Sequence, residues 1–400
     1  MMMFDAIRFR DDFPALSTGQ VYLDSAATAL KPQPMITATS DYYRQDTANA
    51  YRSLYQQAQR TTQQIETTRQ RVAELIHATS PQQIIWTKGA TESVNLVAQS
   101  YARYTLKAGD EIIVSELEHH SNLIPWLIVA EQTGAKVIKW ALNDNHQLDI
   151  AGLKQCISDK TQIVAVTQMS NVTGYQPDLA EIVKIVHANK AVIVVDGAQG
   201  ILHSPIDVAS LDIDFYLFSA HKLYGPTGLG ALYVKADKLS QLAVWHGGGK
   251  MLKTASFSGF EPQLAPEKFE AGTPNIAAII GFGATLNWLK QWDRLAAEAY
   301  TLSLAQQAEQ DLQSISGFIS YRATTSPILS FNIEHIHHSD MAVLLAEQKV
   351  AVRTGELCAQ PLMRRLNCSG VIRAAFAPYN NQQDVLRLVN AVHTALDILR

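Results

Sequence analysis

The chain has 400 residues, of which 47% are hydrophobic and 18% are charged, and its formal net charge is -4. This is the composition of a soluble globular protein with an ample core, and the length suits about two domains. The weak negative charge gives no reason to expect binding to nucleic acid or to a membrane surface. We expect neither a secretory signal in residues 1–12 nor a membrane helix elsewhere, because no apolar run is long enough.

Cysteine usage indicates a reducing compartment. The three cysteines are Cys156, Cys358 and Cys368. An odd number this small is a poor basis for a disulfide framework. The sequence therefore predicts a cytoplasmic protein, and it leaves room for one chemically active thiol.

The first third of the chain contains two segments suited to ligand binding. Residues 21–28 read as a short apolar strand that ends in small residues, which let a ligand or a second chain approach the backbone. After a helix predicted at 61–77 from its apolar spacing, the strand Ile84–Thr87 leads through Gly89 into another helix. A strand, a glycine turn and a helix N-terminus form an anion site. The same pattern also fits a plain helix capped by Thr91.

Strands and helices then alternate along the chain. Apolar strands rich in β-branched residues are predicted at 111–115, 136–140, 162–166, 191–195 and 215–218. Such strands are buried on both faces, so we expect a largely parallel sheet with helices on each side. In these sheets ligands bind beyond the carboxyl ends of the strands. Polar residues recur at those ends, namely Thr91, His119, Asn171, Asp196, Gln199, Ser219, His221 and Lys222.

The stretch 212–230 suggests the chemistry of this site. An aromatic strand breaks into Ser219-Ala220-His221-Lys222, and the turn at 224–228 holds the lysine on a fixed backbone. Ser219 and His221 supply short donors suited to a phosphate. An amine beside phosphate donors is what pyridoxal phosphate (PLP) requires, since Lys222 can form a Schiff base with its aldehyde. By itself the motif also fits a surface lysine that follows a strand.

Two further residues match the needs of this cofactor. An acidic residue near the pyridine nitrogen keeps that nitrogen protonated and makes the ring an electron sink. Asp196, at the end of the most apolar strand, is placed for this role, although strand-end aspartates are also common in turns. His119 can stack on the ring and move protons, or it can be structural, which is the interpretation we favour for its neighbour His120.

The last third of the chain predicts a small α+β domain. Its strands are expected at 328–333, 350–353 and 371–376, with helices at 339–348 and at the C-terminus. No internal repeat or low-complexity tract interrupts it.

Three residues of this domain are candidates for substrate chemistry. A guanidinium binds an amino-acid carboxylate at two points, and we favour Arg373 over Arg353 for this role, although arginines at strand starts are often merely solvated. Cys358 lies in a loop with glycine and proline close by. A loop cysteine near an arginine suits a thiolate nucleophile, whereas a free cysteine is more often buried and inert.

Taken together, these residues resemble the group II cysteine desulfurases of the CsdA/SufS type, which are class V, fold-type I PLP enzymes. The resemblance covers nearly the whole chain. The segments at 249–251, 337–340 and 358–361 lean towards the CsdA type, often called cysteine sulfinate desulfinase. The motifs that carry the resemblance are Tyr22-Leu23-Asp24-Ser25-Ala26-Ala27, Gly89-Ala90-Thr91-Glu92, Glu118-His119-His120, Met169-Ser170-Asn171-Val172, Asp196-Gly197-Ala198-Gln199, Ser219-Ala220-His221-Lys222-Leu223-Tyr224-Gly225-Pro226, Phe269-Glu270-Ala271-Gly272-Thr273-Pro274-Asn275 and Cys358-Ala359.

The resemblance implies a role for each matching residue. Lys222 would be the Schiff-base lysine, Asp196 the pyridinium partner and His119 the stacked acid–base. Arg373 and Arg353, with Asn171, would bind the substrate, and Cys358 would take the sulfur as a persulfide. The remaining cofactor contacts would be Ala90, Thr91, Ser219 and His221 at the phosphate, Asn171 and Gln199 at the ring hydroxyl, and Thr273 at the phosphate from a partner subunit.

The resemblance also implies an architecture and partners. We expect an aspartate-aminotransferase-like fold, with a mostly parallel seven-stranded sheet in a large PLP-binding domain at 20–285. The small domain would comprise 1–19 and 286–400. A homodimer with shared active sites and a SufE/CsdE-like sulfur acceptor are implied, and no metal is expected.

Three departures from the family pattern stand out. Tyr51, in Asn49-Ala50-Tyr51-Arg52, replaces a usual histidine, Ala220 replaces a usual glycine, and Glu356-Leu357 replaces a more histidine-like pair. The first puts substrate-side or interface contacts in doubt, and the last the tuning of Cys358.

The predicted function is conversion of L-cysteine to L-alanine, with cysteine sulfinate and selenocysteine as further substrates. Two alternatives stay open at this point. One is another class V PLP enzyme, such as an aminotransferase or a kynureninase-like hydrolase. The other is a non-catalytic sulfur-carrier scaffold.

Overall fold

The computed structural model describes residues 4–51 and 53–400. Residues 1–3, the start of the stretch expected to lack a signal, lie outside the described residues. So does Arg52, the last residue of the motif that contains Tyr51.

The secondary structure alternates over most of the chain. The α-helices of the described residues are α1 (Ala6–Asp11), α2 (Gln33–Gln45), α3 (Gln56–Leu75), α4 (Ala90–Val97), α5 (Arg103–Thr105), α6 (Ile124–Thr133), α7 (Ile150–Cys156), α8 (Leu179–Ala188), α9 (Gly200–His203), α10 (Ala236–Leu239), α11 (Ile276–Leu289), α12 (Arg294–Leu312), α13 (His338–Glu347), α14 (Gln360–Arg365) and α15 (Gln382–Leu399). The strands are β1 (Val21–Tyr22), β2 (Ile84–Thr87), β3 (Glu111–Ser115), β4 (Lys136–Trp140), β5 (Thr161–Thr167), β6 (Val192–Asp196), β7 (Phe215–Ser219), β8 (Gly230–Val234), β9 (Leu252–Ser256), β10 (Gly259–Pro262), β11 (Phe318–Ser320), β12 (Ile328–Ile333), β13 (Val350–Ala351), β14 (Arg353–Gly355) and β15 (Val371–Ala375).

The chain divides into two compact units. Unit 1 comprises Met1–Pro34, Met169–Gln176 and Asn287–Arg400, and unit 2 comprises Met35–Gln168 and Pro177–Leu286. These units differ from the predicted domains at 20–34 and 169–176, which group with the C-terminal residues. The reason is non-local pairing within unit 1: β1 forms a parallel pair with β13, and the Ala323 N–H donates to the carbonyl of Thr173 over 2.8 Å.

Unit 2 is built on a seven-stranded sheet of order β2-β8-β7-β6-β5-β3-β4. The four neighbouring pairs from β7 to β4 are parallel. Strand β8 lies between β2 and β7 and is antiparallel to both. The central strands are buried along their whole length, which is why they carry continuous apolar runs. This sheet, flanked by helices, confirms the predicted fold class.

Several elements were not anticipated from the sequence, among them strand β8 and the hairpin of β9 and β10. Strand β8 follows the turn of the lysine stretch, and its signal was the short run Ala231-Leu232-Tyr233-Val234 after Gly230. Residues 276–312 form two helices, α11 and α12. Asp293 separates them, because its side chain accepts the N–H groups of Leu295 and Ala296 and so caps a new helix.

Unit 1 contains a four-stranded antiparallel sheet of order β11-β12-β15-β14. Helices α12, α13 and α15 pack their apolar faces into one core with it, represented by Leu304, Leu345 and Leu388. Asn381 caps α15 through a reciprocal capping box with Asp384. The predicted small α+β domain therefore has a core of its own. No helix among residues 4–51 and 53–400 combines the length and apolarity needed to span a bilayer.

A buried ion pair ties distant parts of unit 2 together. Arg69 on α3 donates to both carboxylate oxygens of Glu270, over 2.6 and 3.0 Å. Glu270 also accepts the Trp86 N–H at 2.9 Å and the Lys250 ammonium at 3.0 Å. Lys250 in turn lies 4.1 Å from the ring centroid of Tyr51, one of the departures. The side chains of Arg69 and Glu270 are only 1% and 3% exposed.

This network predicts a large loss of stability when one partner is neutralised. Glu270→Gln removes the buried counter-charge of the Arg69 guanidinium and leaves only the half-exposed carboxylate of Glu66 beside it, so we expect the free energy of unfolding to fall by about 3 kcal/mol. The matched control is Glu261→Gln, which breaks an exposed pair with Lys253 and should cost less than about 1 kcal/mol. Urea unfolding of the three proteins measures both values. Equal losses would mean that the buried pair contributes no more than the exposed one.

Candidate active site

The carboxyl ends of the parallel strands in unit 2 gather most of the predicted site residues. Thr87, Ser219 and Gly230 are in register across β2, β8 and β7, and Thr167 is in register with Asp196. The turns that follow these strands therefore start from one edge of the sheet. This placement follows from strand direction, as predicted.

The turn after β2 forms a cradle of backbone and small side chains. Gly89 has φ +155°, and a Cβ there would lie 3.2 Å from the Ser219 hydroxyl. A Cβ on Gly230 would lie 2.5 Å from the Gly89 Cα, so both positions require glycine. The Ala90 N–H donates to the Ser219 Oγ over 2.8 Å. A cavity of about 520 Å³ opens here, lined by Ala90, Thr91, Ser219 and His221 among others.

Thr91 and His119 are joined through one serine. The Ser121 N–H donates to His119 Nδ1 over 3.1 Å, and the Ser121 hydroxyl lies 2.7 Å from that of Thr91. A nitrogen that accepts this bond carries no proton in the neutral ring, so the proton of neutral His119 is on Nε2. The alternative of Thr91 as helix cap is not observed, since Gly89 holds the N-cap position of α4.

Asp196 and Lys222 lie at the ends of adjacent strands. Asp196 is the last residue of β6 and is 5% exposed, and its carboxylate accepts the Ala198 N–H over 2.8 Å. Burial raises the pKa of Asp196, while the Ala198 N–H and the nearby Lys222 amine act to lower it. Lys222 ends the short turn Ala220–Lys222 after β7. Asp196 is therefore a buried carboxylate close to an amine, and it is not a turn aspartate exposed to solvent.

Glu118 is a buried carboxylate that the sequence analysis left without a role. It precedes His119 and accepts three hydrogen bonds: from the Ser115 hydroxyl, from the Thr167 N–H at 2.8 Å and from the Asn122 amide at 2.7 Å. Burial is the main cause that raises the pKa of Glu118 to about 8. Its hydrogen bonds connect the ends of β3 and β5 and so fix the turn that carries His119.

The raised pKa predicts a pH effect on stability. Between about pH 5 and 8, native Glu118 holds a proton that the unfolded chain has released, so stability falls as pH rises through this window. In Glu118→Gln this part of the slope should be missing. Glu116→Gln, which alters another buried carboxylate of the same turn, should keep it. Urea unfolding at several pH values measures the slope of stability against pH, and an unchanged slope in Glu118→Gln would contradict the prediction.

In unit 1, one carboxylate holds both candidate arginines. Arg353 donates from Nε and Nη2 to Asp24, at 3.1 and 2.9 Å, and Arg373 donates from Nη2 to Asp24 at 3.3 Å. Arg373 is 2% exposed, and its Nε–H has no hydrogen-bond partner. Burial lowers the pKa of Arg373 to about 10. The hydrogen bond to Asp24 raises the pKa of Arg353. The buried Nε–H of Arg373 thus has no partner, whereas Nε and Nη2 of Arg353 are hydrogen-bonded to Asp24.

Asn171 connects Arg373 to the cysteine loop. Its carbonyl accepts from Arg373 Nη1 at 2.8 Å, and its side-chain amide donates to the Leu357 carbonyl at 2.9 Å. Cys358 follows Leu357 and is exposed, so it is not the buried, inert thiol that was the alternative. Cys156 and Cys368 are partly buried, and burial raises the pKa of both.

Gln199 and Thr273 are the remaining predicted residues of unit 2. Gln199 is buried at the N-cap of α9. Thr273 is exposed and lines a second cavity of unit 2, about 490 Å³ in volume, together with Trp86 and Trp245. Asp24 and Glu118 were missed from the sequence, although both stood in quoted motifs. Asp24 meets its arginines 329 and 349 residues away, whereas the nearby partners of Glu118, Ser115 and Asn122, were an overlooked signal.

The donor set of unit 2 fits PLP. The cradle offers a Ser219 hydroxyl that accepts from Ala90 and keeps its own hydrogen for a phosphate oxygen. The buried Asp196 suits a protonated ring nitrogen, and Lys222 suits the aldehyde. Across the described parts of the chain, no group of three or more His, Cys, Asp or Glu side chains could hold a metal ion.

Comparison with known proteins gives the family. The model of the family described as Aminotransferase class-V matches residues 21–388. "Cysteine desulfurase CsdA" of Escherichia coli (strain K12) is 51% identical over 399 residues, covering 100% of both chains. A "Probable cysteine desulfurase" of Vibrio cholerae is 46% identical, again with 100% of both chains covered.

Solved structures agree with these relatives. The crystal structure of cysteine desulfurase CsdA (S-sulfonic acid) from Escherichia coli superposes with a TM-score of 0.96 at 51% identity and covers 100% of both chains. The apo structure of a cysteine desulfurase from Thermococcus onnurineus NA1 gives 0.94 at 32% identity, with 99% of each chain covered. The resemblance found in the motifs is therefore confirmed: the chain belongs to the aminotransferase class-V family of PLP-dependent enzymes, among the group II cysteine desulfurases of the CsdA/SufS type.

Proposed function

We propose that this enzyme removes the sulfur of L-cysteine to give L-alanine and holds the sulfur as a persulfide on Cys358. The observation that carries the proposal is the exposed Cys358 in the same unit as Arg373, with Asn171 bonded to both segments. An exposed thiol near a guanidinium is suited to accept a sulfur atom and to pass it on.

The predicted cofactor residues would each hold one part of PLP. Lys222 would bind its aldehyde carbon, and Asp196 would keep its ring nitrogen protonated, while Gln199 and Asn171 would bind the ring hydroxyl. The phosphate would lie in the cradle of Ala90, Thr91, Ser219 and His221. When bound, the ring takes up the electron pair released next to the substrate's α-carbon.

The chain's own groups would complete the reaction. Arg373, with Arg353 at its side, binds the substrate carboxylate through the donor that is unused in unit 1. Lys222 and His119 carry protons to and from the substrate carbons, and the Nε2–H of His119 is the proton available for transfer. The Cys358 thiolate forms the S–S bond as the carbon–sulfur bond of the substrate breaks. The carbon then gains a proton, which completes alanine.

We further propose cysteine sulfinate and selenocysteine as substrates. Their sulfur or selenium group can leave without a thiolate that accepts it, so Cys358 would not be needed. The persulfide would be delivered to a SufE/CsdE-like acceptor protein, and the enzyme would act in the cytoplasm, in accord with three cysteines that form no disulfide.

A homodimer with shared sites is part of the proposal. Thr273 would reach the phosphate of the partner subunit. Several large apolar side chains of unit 2 are exposed, including Leu54, Phe257 and Leu264, and such side chains favour an interface. The molar mass from light scattering tests the dimer.

The decisive experiment mixes the purified enzyme with L-cysteine and a thiol reductant and measures alanine and sulfide. Equal amounts of both support the proposal. The alternative within the family is an aminotransferase or kynureninase-like hydrolase, and formation of pyruvate or glutamate instead of alanine would favour it. The relatives that cover the whole chain are named as enzymes, which speaks against a non-catalytic scaffold.

A further inference from the structure

The loop that carries Cys358 has an unusual backbone. Leu357 and Cys358 are consecutive residues with φ of +51° and +54°, and Gly355 has φ +102°. The left-handed region suits glycine and asparagine, but it costs free energy for a residue such as leucine. Two such residues in succession persist only where surrounding contacts impose the conformation.

A long-range contact on this backbone comes from Asn171. Its side-chain amide donates to the carbonyl of Leu357 at 2.9 Å, and both residues are buried. Asn171 is itself held rigidly, since Arg373 donates to its carbonyl and the Ser330 hydroxyl donates to the next carbonyl, that of Val172, at 2.5 Å. The Ala359 N–H donates to the Glu356 carbonyl over 2.9 Å and closes the turn.

We propose that Asn171 and Leu357 form a clasp that positions the Cys358 thiol, with Leu357 acting as a positioning residue through its backbone. The clasp rests on the proposed function, in which Cys358 accepts the sulfur. Its consequence is that the left-handed conformation at 357, and not the leucine side chain, sets the rate of sulfur transfer. A misplacement of a reacting atom by about 1 Å can cost roughly 10²-fold in rate.

A substitution series at 357 separates backbone from packing. Leu357→Gly and Leu357→Asn tolerate the left-handed region, so kcat/KM for L-cysteine should stay within about threefold of wild type. Leu357→Val does not tolerate it and should lose a factor of roughly 5 to 30. If the side chain only fills space, the order reverses, because valine preserves most of the apolar volume. That reversed order would overturn the proposal.

Leu366→Val is the matched control. Leu366 is as buried as Leu357, at 8% exposure, but it has φ −77°. The same change there should leave kcat/KM unaltered. Urea unfolding of each variant checks that the protein used in the kinetic assay is folded.

A double-mutant cycle tests the hydrogen bond. Asn171→Ala should reduce kcat/KM more in wild type than in Leu357→Gly, by roughly a factor of five or more, since glycine needs less support. Gln199→Ala, which also removes a proposed contact to the ring hydroxyl, should cost the same in both backgrounds. Additive losses for Asn171→Ala would overturn the clasp.

A failure of the proposed function can be distinguished from a failure of the clasp. In that case wild type releases no alanine from L-cysteine. The rate at which iodoacetamide alkylates Cys358 then still reports the loop: Leu357→Gly and Leu357→Asn should match wild type, and Leu357→Val should differ. Equal rates for all three variants would overturn the clasp by itself.

Discussion

Lys222→Ala should lose the visible absorbance of lysine-bound PLP, and its turnover of L-cysteine should fall by roughly 10²–10⁴-fold or more. The lysine supplies both the covalent bond to the cofactor aldehyde and a proton carrier at the substrate carbon. Because Asp196 and the cradle remain, the variant should still bind PLP, although less tightly. Absorbance spectra, PLP content after denaturation and alanine release measure the three effects.

Lys222→Arg and Lys235→Ala are the informative companions. Arginine keeps a positive charge near Asp196 but forms no bond to the aldehyde, so we expect it to fail like alanine. Lys235, at the end of β8, pairs with Asp212, and its removal should change neither absorbance nor turnover. Normal desulfurase activity in Lys222→Ala would refute the assignment, and activity in Lys222→Arg would show that only the charge matters.

Cys358→Ala should separate the substrates. Turnover of L-cysteine should fall by at least about 10²-fold, the scale on which loss of one catalytic group usually appears. Turnover of cysteine sulfinate and selenocysteine should be largely kept, because these groups leave without attack by a thiolate. PLP content should be unchanged, since Cys358 is not among the residues proposed to hold the cofactor.

Parallel alanine assays on the three substrates decide the outcome. Equal loss on all three would make Cys358 a general part of the site. Full cysteine activity would exclude Cys358 as the sulfur acceptor. The matched controls are Cys156→Ala and Cys368→Ala, and both should retain full activity because these thiols are partly buried. Loss of cysteine activity in either control would move the acceptor to that residue.

The sequence by itself predicted the architecture of the sheet and the residues proposed to hold the cofactor. Continuous apolar strands such as β6 and β7 are buried on both faces, and this burial leaves a pattern in the composition of the strands themselves. A residue at the end of such a strand, as Asp196 and Lys222 are, must lie at the sheet edge where ligands bind. These predictions needed only local information and the direction of the strands.

The tertiary structure alone decided which charges meet and which backbone is strained. The Asp24 side chain binds Arg353 and Arg373, and Arg69 binds Glu270, although each pair is more than 200 residues apart. Nothing in the neighbouring sequence of any of these residues names its partner. Leu357 adopts φ +51° in a turn that the Ala359 N–H closes on the Glu356 carbonyl. Asn171, 186 residues away, also bonds the Leu357 carbonyl, and a contact of this kind exists only after the chain has folded.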